Sequence, residues 1–190
     1  MDGMPETELP YGRDELIAAL EAAHAEVADF FESLPAEGFF RRPEVGVWSP
    51  AENLVHLIKS VRAVTSGLKL PKLLLAILFG TATSPSRRYD EMRETYQGRL
   101  SAGGRAGGRF VPPQLSPGEA EAESVRARTL DGWSRSGEDL VKALRRWSEK
   151  GLDKYRLPHP LLGKLTVREM LFFTHYHDLL HAEIVRKRCG

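Results

Sequence analysis

Cysteine is almost missing from this sequence. Its single thiol, Cys189, cannot close an internal disulfide, so the expected compartment is a reducing cytoplasm. A charge excess is missing too. Lysine and arginine number 27 against 26 aspartates and glutamates, a net charge of +1, which argues against a nucleic-acid partner and its usual basic face. Long apolar runs are absent. The longest, Leu73 to Phe79, falls far short of the ~20 residues of a membrane span, so none is expected. Met1 to Pro10 is acidic and has no apolar stretch of the kind a signal peptide carries. No succession of alternating apolar and polar residues announces strands, which leaves an all-α class.

What is present is helical periodicity in 190 residues, enough for one domain with a full core. Leu16, Ile17, Leu20, Ala23, Val27, Phe30 and Phe31 recur at spacings of three and four, which predicts a first helix over 13–34, closed by Pro35. Ser49-Pro50-Ala51-Glu52 is a capping box with proline at the first helical position, and predicts a second helix from Ser49 to about Gly67–Pro71. Ala127, Leu130, Trp133, Leu140, Leu144 and Trp147 predict a third helix over 118–150 with Gly151 as its C-cap. Thr166 and Glu169 form a second capping box and start a fourth helix that reaches Arg188. Four long helices imply a bundle.

Between the second and third helices lies an insertion, 70–118. Its apolar segment Leu73 to Phe79 reads as a short helix for core packing or an interface, such as that of a homodimer, with contact to a membrane surface as the alternative. A polar, basic stretch, Ser84 to Arg99, follows. The Gly- and Pro-rich part, 98–118, reads as a loop, either a mobile lid or a wrapped arm. Arg99, Arg105 and Arg109 there suggest phosphate, but neither the P-loop spacing nor the dinucleotide fingerprint is present.

The histidines carry the chemistry. At about 100° per residue, His177 and His181 lie about 40° apart, in the middle of the apolar face of the fourth helix. His175 falls about 160° away and is expected to point outward. Two imidazoles on a buried face must have their donors and acceptors satisfied. A metal ion reached by both rings would do this, and a hydrogen-bonded core pair is the alternative. His56 is the best third ligand, because it shares its side of the second helix with Ser60, Ala63 and Gly67, small residues that leave room for a cavity. Its competing reading is a solvent-facing side chain. His24 and His159 are weaker choices. Three imidazoles leave coordination positions open for water or substrate. They suit zinc, nickel, cobalt, iron or copper.

Two segments resemble the DinB-like superfamily. Trp48-Ser49-Pro50-Ala51-Glu52-Asn53-Leu54-Val55-His56-Leu57 is similar to its second-helix motif. His159-Pro160-Leu161-Leu162-Gly163-Lys164-Leu165-Thr166-Val167-Arg168-Glu169-Met170, with His177-Asp178-Leu179-Leu180-His181, is similar to its fourth-helix motif. The resemblance implies a metal-binding four-helix bundle with His56, His177 and His181 as ligands of a divalent ion, zinc or nickel first. The sequence departs from the pattern at Leu180, where many relatives carry a further histidine, and at Glu183, where many carry glutamine nearby. The resemblance also implies a metal-dependent transferase or isomerase that uses a low-molecular-weight thiol. Lys59, Arg62 and Arg105 are the candidate cations for the carboxylates of that thiol. Two alternatives stand beside it. One is a metal-dependent hydrolase with Glu52 as base. The other is a non-enzymatic, metal-stabilised stress or interaction protein.

Overall fold

The computed structural model describes residues 12–189, with side chains through Arg188. The expectations for Met1 to Pro10 and for the Cys189 thiol lie outside the described residues.

Four long helices form the bundle: α1 (Arg13–Glu32), α3 (Pro50–Lys69), α6 (Glu119–Leu144) and α8 (Val167–Cys189). Helix α1 packs on α6 and α8, and α3 packs on the same two, so the four close a ring around one core. Leu16, Leu20, Val27, Leu54, Leu57, Val61, Leu140, Leu144 and Leu171 fill it with almost no exposed surface. These are the apolar positions at helical spacing, and their removal from water is the main driving force for assembly.

Shorter elements surround the bundle. Helix α2 (Ala36–Phe40) lies between α1 and α3 in the chain, and α4 (Lys72–Phe79) and α5 (Tyr89–Ser101) lie in the insertion. Helix α5 packs on α8 through buried Met92 and Tyr96, within the stretch that reads only as polar and basic in the sequence. Helix α4 packs into the core on one side only. Leu75 alone is buried, while Leu73 and Ile77 are 74% and 71% exposed, so the face that a dimer would use is uncovered.

The third helix is shorter than its periodicity suggests. Helix α6 ends at Leu144, and α7 (Glu149–Lys154) begins after Ser148 caps the amide of Gly151. The break turns Trp147 inward, where its indole N–H donates to the carbonyl of Leu68. Gly151 is therefore not a C-cap. It sits inside α7, where a Cβ would come within 3.1 Å of Ser148 Oγ and 3.3 Å of the Trp147 ring. The expected connector before the fourth helix holds an antiparallel hairpin of β1 (Arg156–His159) and β2 (Gly163–Thr166). Gly163 has φ +76°, the left-handed turn that glycine adopts without strain.

Gly137 marks the tightest approach inside the bundle. A Cβ there would lie 2.6 Å from His24 Cδ2 and 3.1 Å from its Cγ. The His24 ring cannot retreat easily, because it stacks on Trp133 at 4.4 Å and its Nδ1–H donates to the carbonyl of Leu20. Overpacking of this kind costs about 1–3 kcal/mol. The helix propensity regained by alanine offsets about 1 kcal/mol. Gly137→Ala should lower the urea midpoint; an equal or higher midpoint would show that the ring gives way freely.

Candidate metal centre

Helices α3 and α8 start in the same way, and their starts set the phases of the histidines. In α3 the Glu52 amide donates to Ser49 Oγ and the Ser49 amide to Glu52 Oε2. In α8 the Glu169 amide donates to Thr166 Oγ1 and the Thr166 amide to Glu169 Oε2. An arginine clamps each capping carboxylate: Arg42 contacts both oxygens of Glu52, and Arg87 holds Glu169 at 2.8 Å. Glu52 is fully buried, and the backbone N–H of Leu115 also donates to it. Burial, the largest influence, pushes its carboxyl up, but Arg42 and the amides of Ser49 and Leu115 together hold it below the usual range. Its oxygens are committed to this network, so Glu52 is a structural anchor and not the free base of the hydrolase reading.

From these starts, His56 on α3 and His177 and His181 on α8 converge. One ring nitrogen from each lies within 4.8 Å of the others. His56 is 4% exposed, which excludes the solvent-facing reading. His56 Nε2 and His177 Nε2 are 3.1 Å apart. Two ligands about 2.05 Å from one tetrahedral ion would lie ~3.3 Å apart.

The proton positions fit a cation. His56 Nδ1 donates to the carbonyl of Phe110 at 2.8 Å. His181 Nδ1 donates to Asn53 Oδ1 at 2.8 Å, and the Asn53 amide nitrogen donates to the carbonyls of Trp48 and Ser49, which fixes the orientation of that amide. Both rings therefore carry their proton on Nδ1 and direct an Nε2 lone pair into the cluster. Burial holds all three imidazoles neutral. It lowers His56 and His177 from the ordinary value, the latter far below it with help from His181 and His56, and brings His181 to about 3. Neutral imidazole is the form that binds a metal.

The cluster lies in the wall of a cavity of about 760 Å³. Trp48, Tyr96, Leu100, Phe110 and Phe173 supply apolar surface, and Arg105, Arg109 and Arg188 supply cations. Among the described residues, no aspartate or glutamate lines it. The Gly-rich segment is a wrapped arm. It carries Phe110 onto His56, and it is tied down where Lys59 Nζ donates to the carbonyl of Val111 at 2.8 Å and Leu115 N–H meets Glu52. Of the three cations expected at the mouth, Arg105 lines the cavity. Lys59 is spent on the arm, and Arg62 lies against α6 beside Gly132.

The remaining histidines stand apart from the cluster. His159 lines the cavity, and its Nδ1 accepts from the amides of Leu161 and Leu162, which leaves the proton on Nε2; burial lowers it to about 4. His175 does face away from the cluster, but it is half-buried under α5, where Tyr89 Oη lies 3.2 Å from Nδ1. The outward side of α8 at this point is therefore partly covered. His24 points from α1 toward Asp178, a fully buried acid that the sequence reading passed over. Its position immediately after His177 is the one signal that could have drawn attention to it. Burial lowers His24 and pushes the Asp178 carboxyl well above its ordinary value, so this contact is not an ion pair.

The model of one protein family, described as the DinB superfamily, matches residues 19–185. Curated protein sequences return no match. Several solved structures share the fold. YfiT from Bacillus subtilis, described as a probable metal-dependent hydrolase with an unusual four-helix bundle topology, is 16% identical with a TM-score of 0.59 over 98% of this chain and 91% of that one. TT2238, a four-helix bundle protein, is 15% identical with a TM-score of 0.54, over 93% and 99% of the two chains. The colibactin self-resistance protein ClbS, solved in complex with double-stranded DNA, is 15% identical with a TM-score of 0.51, over 94% and 96%. The DNA complex is a property of ClbS, and at 15% identity the likeness shows the fold alone.

Proposed function

The chain belongs to the DinB superfamily, and from that premise we propose that it is a divalent-metal-dependent enzyme acting on a small organic substrate. The observation that carries this reading is the convergence of His56, His177 and His181 beside an open cavity, with two of the three rings locked in the metal-binding tautomer. A divalent ion held there would lower the pKa of a thiol or water that reached it.

Within that class we favour transfer or isomerisation with a low-molecular-weight thiol. Among the described residues, the lining holds no carboxylate to serve as a general base, and Glu52 is committed to Arg42. A thiol ionised by the metal needs no such base, whereas activation of water is helped by one. Arg105, Arg109 and Arg188 are the cations that would hold the carboxylates of the thiol. Metal-dependent hydrolysis is the second reading, supported by the description of YfiT.

Titration with Zn(II) and Ni(II), followed by assays of thiol transfer to a model electrophile and of model ester hydrolysis, tests the proposal. One ion per chain, and thiol transfer lost with chelator and restored with metal, is the expected result. Failure to bind any divalent metal would sink it. Hydrolysis without thiol transfer would move the assignment to the second reading.

A further inference from the structure

Among the described residues, four buried side-chain nitrogen or oxygen atoms lack a hydrogen-bond partner: His24 Nε2, His177 Nδ1, and Oδ1 and Oδ2 of Asp178. Such atoms are rare in folded proteins, and each requires an explanation. Here they are not scattered. They form one line through the bundle. Asp178 Oδ1 lies 3.9 Å from His177 Nδ1, and Asp178 Oδ2 lies 3.9 Å from His24 Nε2. The line joins the cavity side of α8 to α1, with its last ring stacked on Trp133.

The reason for the open gaps lies in the His56–His177 contact. His56 keeps its proton on Nδ1 for Phe110, so its Nε2 is a lone pair. The 3.1 Å contact is a hydrogen bond only if His177 carries its proton on Nε2. His177 Nδ1 is then a bare lone pair facing an acid that it does not touch. Coordination through His177 Nε2 requires the opposite tautomer, with the proton on Nδ1. In that form His177 gains a donor aimed at Asp178 Oδ1, and a shift of roughly 1 Å brings the pair to hydrogen-bond distance. A carboxylate behind a ligating histidine is the usual means of fixing ring and tautomer.

We propose that Asp178 is the positioning residue for His177, and that His24 anchors Asp178 from the far side. On metal loading, His177 Nδ1–H donates to Asp178 Oδ1, while Asp178 Oδ2 and His24 Nε2 share a proton. His24 Nδ1 already donates to the Leu20 carbonyl, so its Nε2 is free to accept. All four orphaned atoms are satisfied, and the orientation of a ligand on α8 is referred to a side chain on α1. The inference rests on the metal-binding reading and adds residues to it that touch neither metal nor substrate.

Competition titrations with Zn(II) and a chromophoric chelator, on the full chain, test it. Asp178→Leu keeps the branched heavy-atom shape and removes both oxygens, and should weaken Zn(II) affinity about 10- to 100-fold. Asp178→Asn keeps the size of the side chain and presents an oxygen to His177 and an N–H to His24, so it should restore affinity to within about threefold and keep the His177 proton on Nδ1, a tautomer that packing alone would not fix. Unchanged affinity in Asp178→Leu, or an Asn variant as weak as the Leu variant, overturns the proposal. Should the Leu variant fail to fold, nitrogen-15 spectra of the Zn(II)-loaded wild type decide. A slowly exchanging proton on His177 Nδ1 supports the proposal, and coordination through Nδ1 overturns it. Absence of Zn(II) binding by the wild type sinks the metal reading and this inference with it, whereas equal binding by wild type and Asp178→Leu sinks this inference alone.

Discussion

Replacing His56 with alanine should reduce divalent-metal affinity by at least about 100-fold, more than the loss expected from a residue behind the ligands. His56 is the only contribution of α3 to the cluster, and it closes the triangle with His177 and His181. Two imidazoles one turn apart on α8 would remain, with no third donor: Glu52 is held by Arg42, and Asn53 is held by His181. The variant should also separate metal binding from folding. A ligand at about 100 times its Kd stabilises the native state by about 2.7 kcal/mol. Wild-type protein should therefore melt several degrees higher with Zn(II) than with chelator, while His56→Ala should melt at one temperature in both. Metal-dependent melting that survives in His56→Ala would remove α3 from the site.

The second large effect is acid lability. Burial lowers each of the six histidines, His24, His56, His159, His175, His177 and His181, from its ordinary value. A group with a depressed folded pKa binds fewer protons folded than unfolded. Its contribution is complete above the unfolded pKa of about 6.5 and is lost as pH falls from there toward the folded value. That window extends from about 6.5 to about 4 for His159 and His175, and to about 3 for His181. The slope approaches about 1.4 kcal/mol per pH unit below the unfolded pKa, and because the unfolded imidazole is half protonated at pH 6.5, these three alone account for about 3 kcal/mol between pH 6.5 and 5.5. Asp178, raised by burial, acts in the opposite sense, as one group against six. Metal-free protein, which has 5–15 kcal/mol or so to lose, should have a much lower urea midpoint at pH 5.5 than at pH 7.0 and should unfold near pH ~5. Equal midpoints at the two pH values would show that the histidines are not held neutral by the fold.

Features encoded locally were legible in the amino-acid order. The two Ser/Thr-x-x-Glu boxes announced where α3 and α8 begin, because the reciprocal bonds involve residues only three apart. Phase then placed His177 and His181 together. His56 was harder to place, because α3 buries one side against α6 and another beside the cavity, and the stripe of larger residues records mainly the first. Its inward position is enforced by Phe110, 54 residues away, which no periodicity can reveal. At His175 the phase was right, but the side opposite the cluster is partly covered by α5, which meets it through Tyr89. The early end of α6 depends on a bond from Trp147 to Leu68, 79 residues away. Asp178 looks in sequence like one more charge on a helix. Only the fold places it between two histidines with no water-facing side.

The contact from the Phe110 carbonyl to His56 has a further consequence. In the proposed centre the same ring would bear on the ion through one nitrogen and on the arm through the other, so arm docking and ion uptake would not be independent equilibria. Reciprocity requires that whatever factor the docked arm adds to ion affinity, the ion adds to the stability of the docked arm. An agent that pries the segment from 101 to 118 away from the bundle would act as an inhibitor at a distance. The ion, in turn, would act as an effector of the cavity's own entrance.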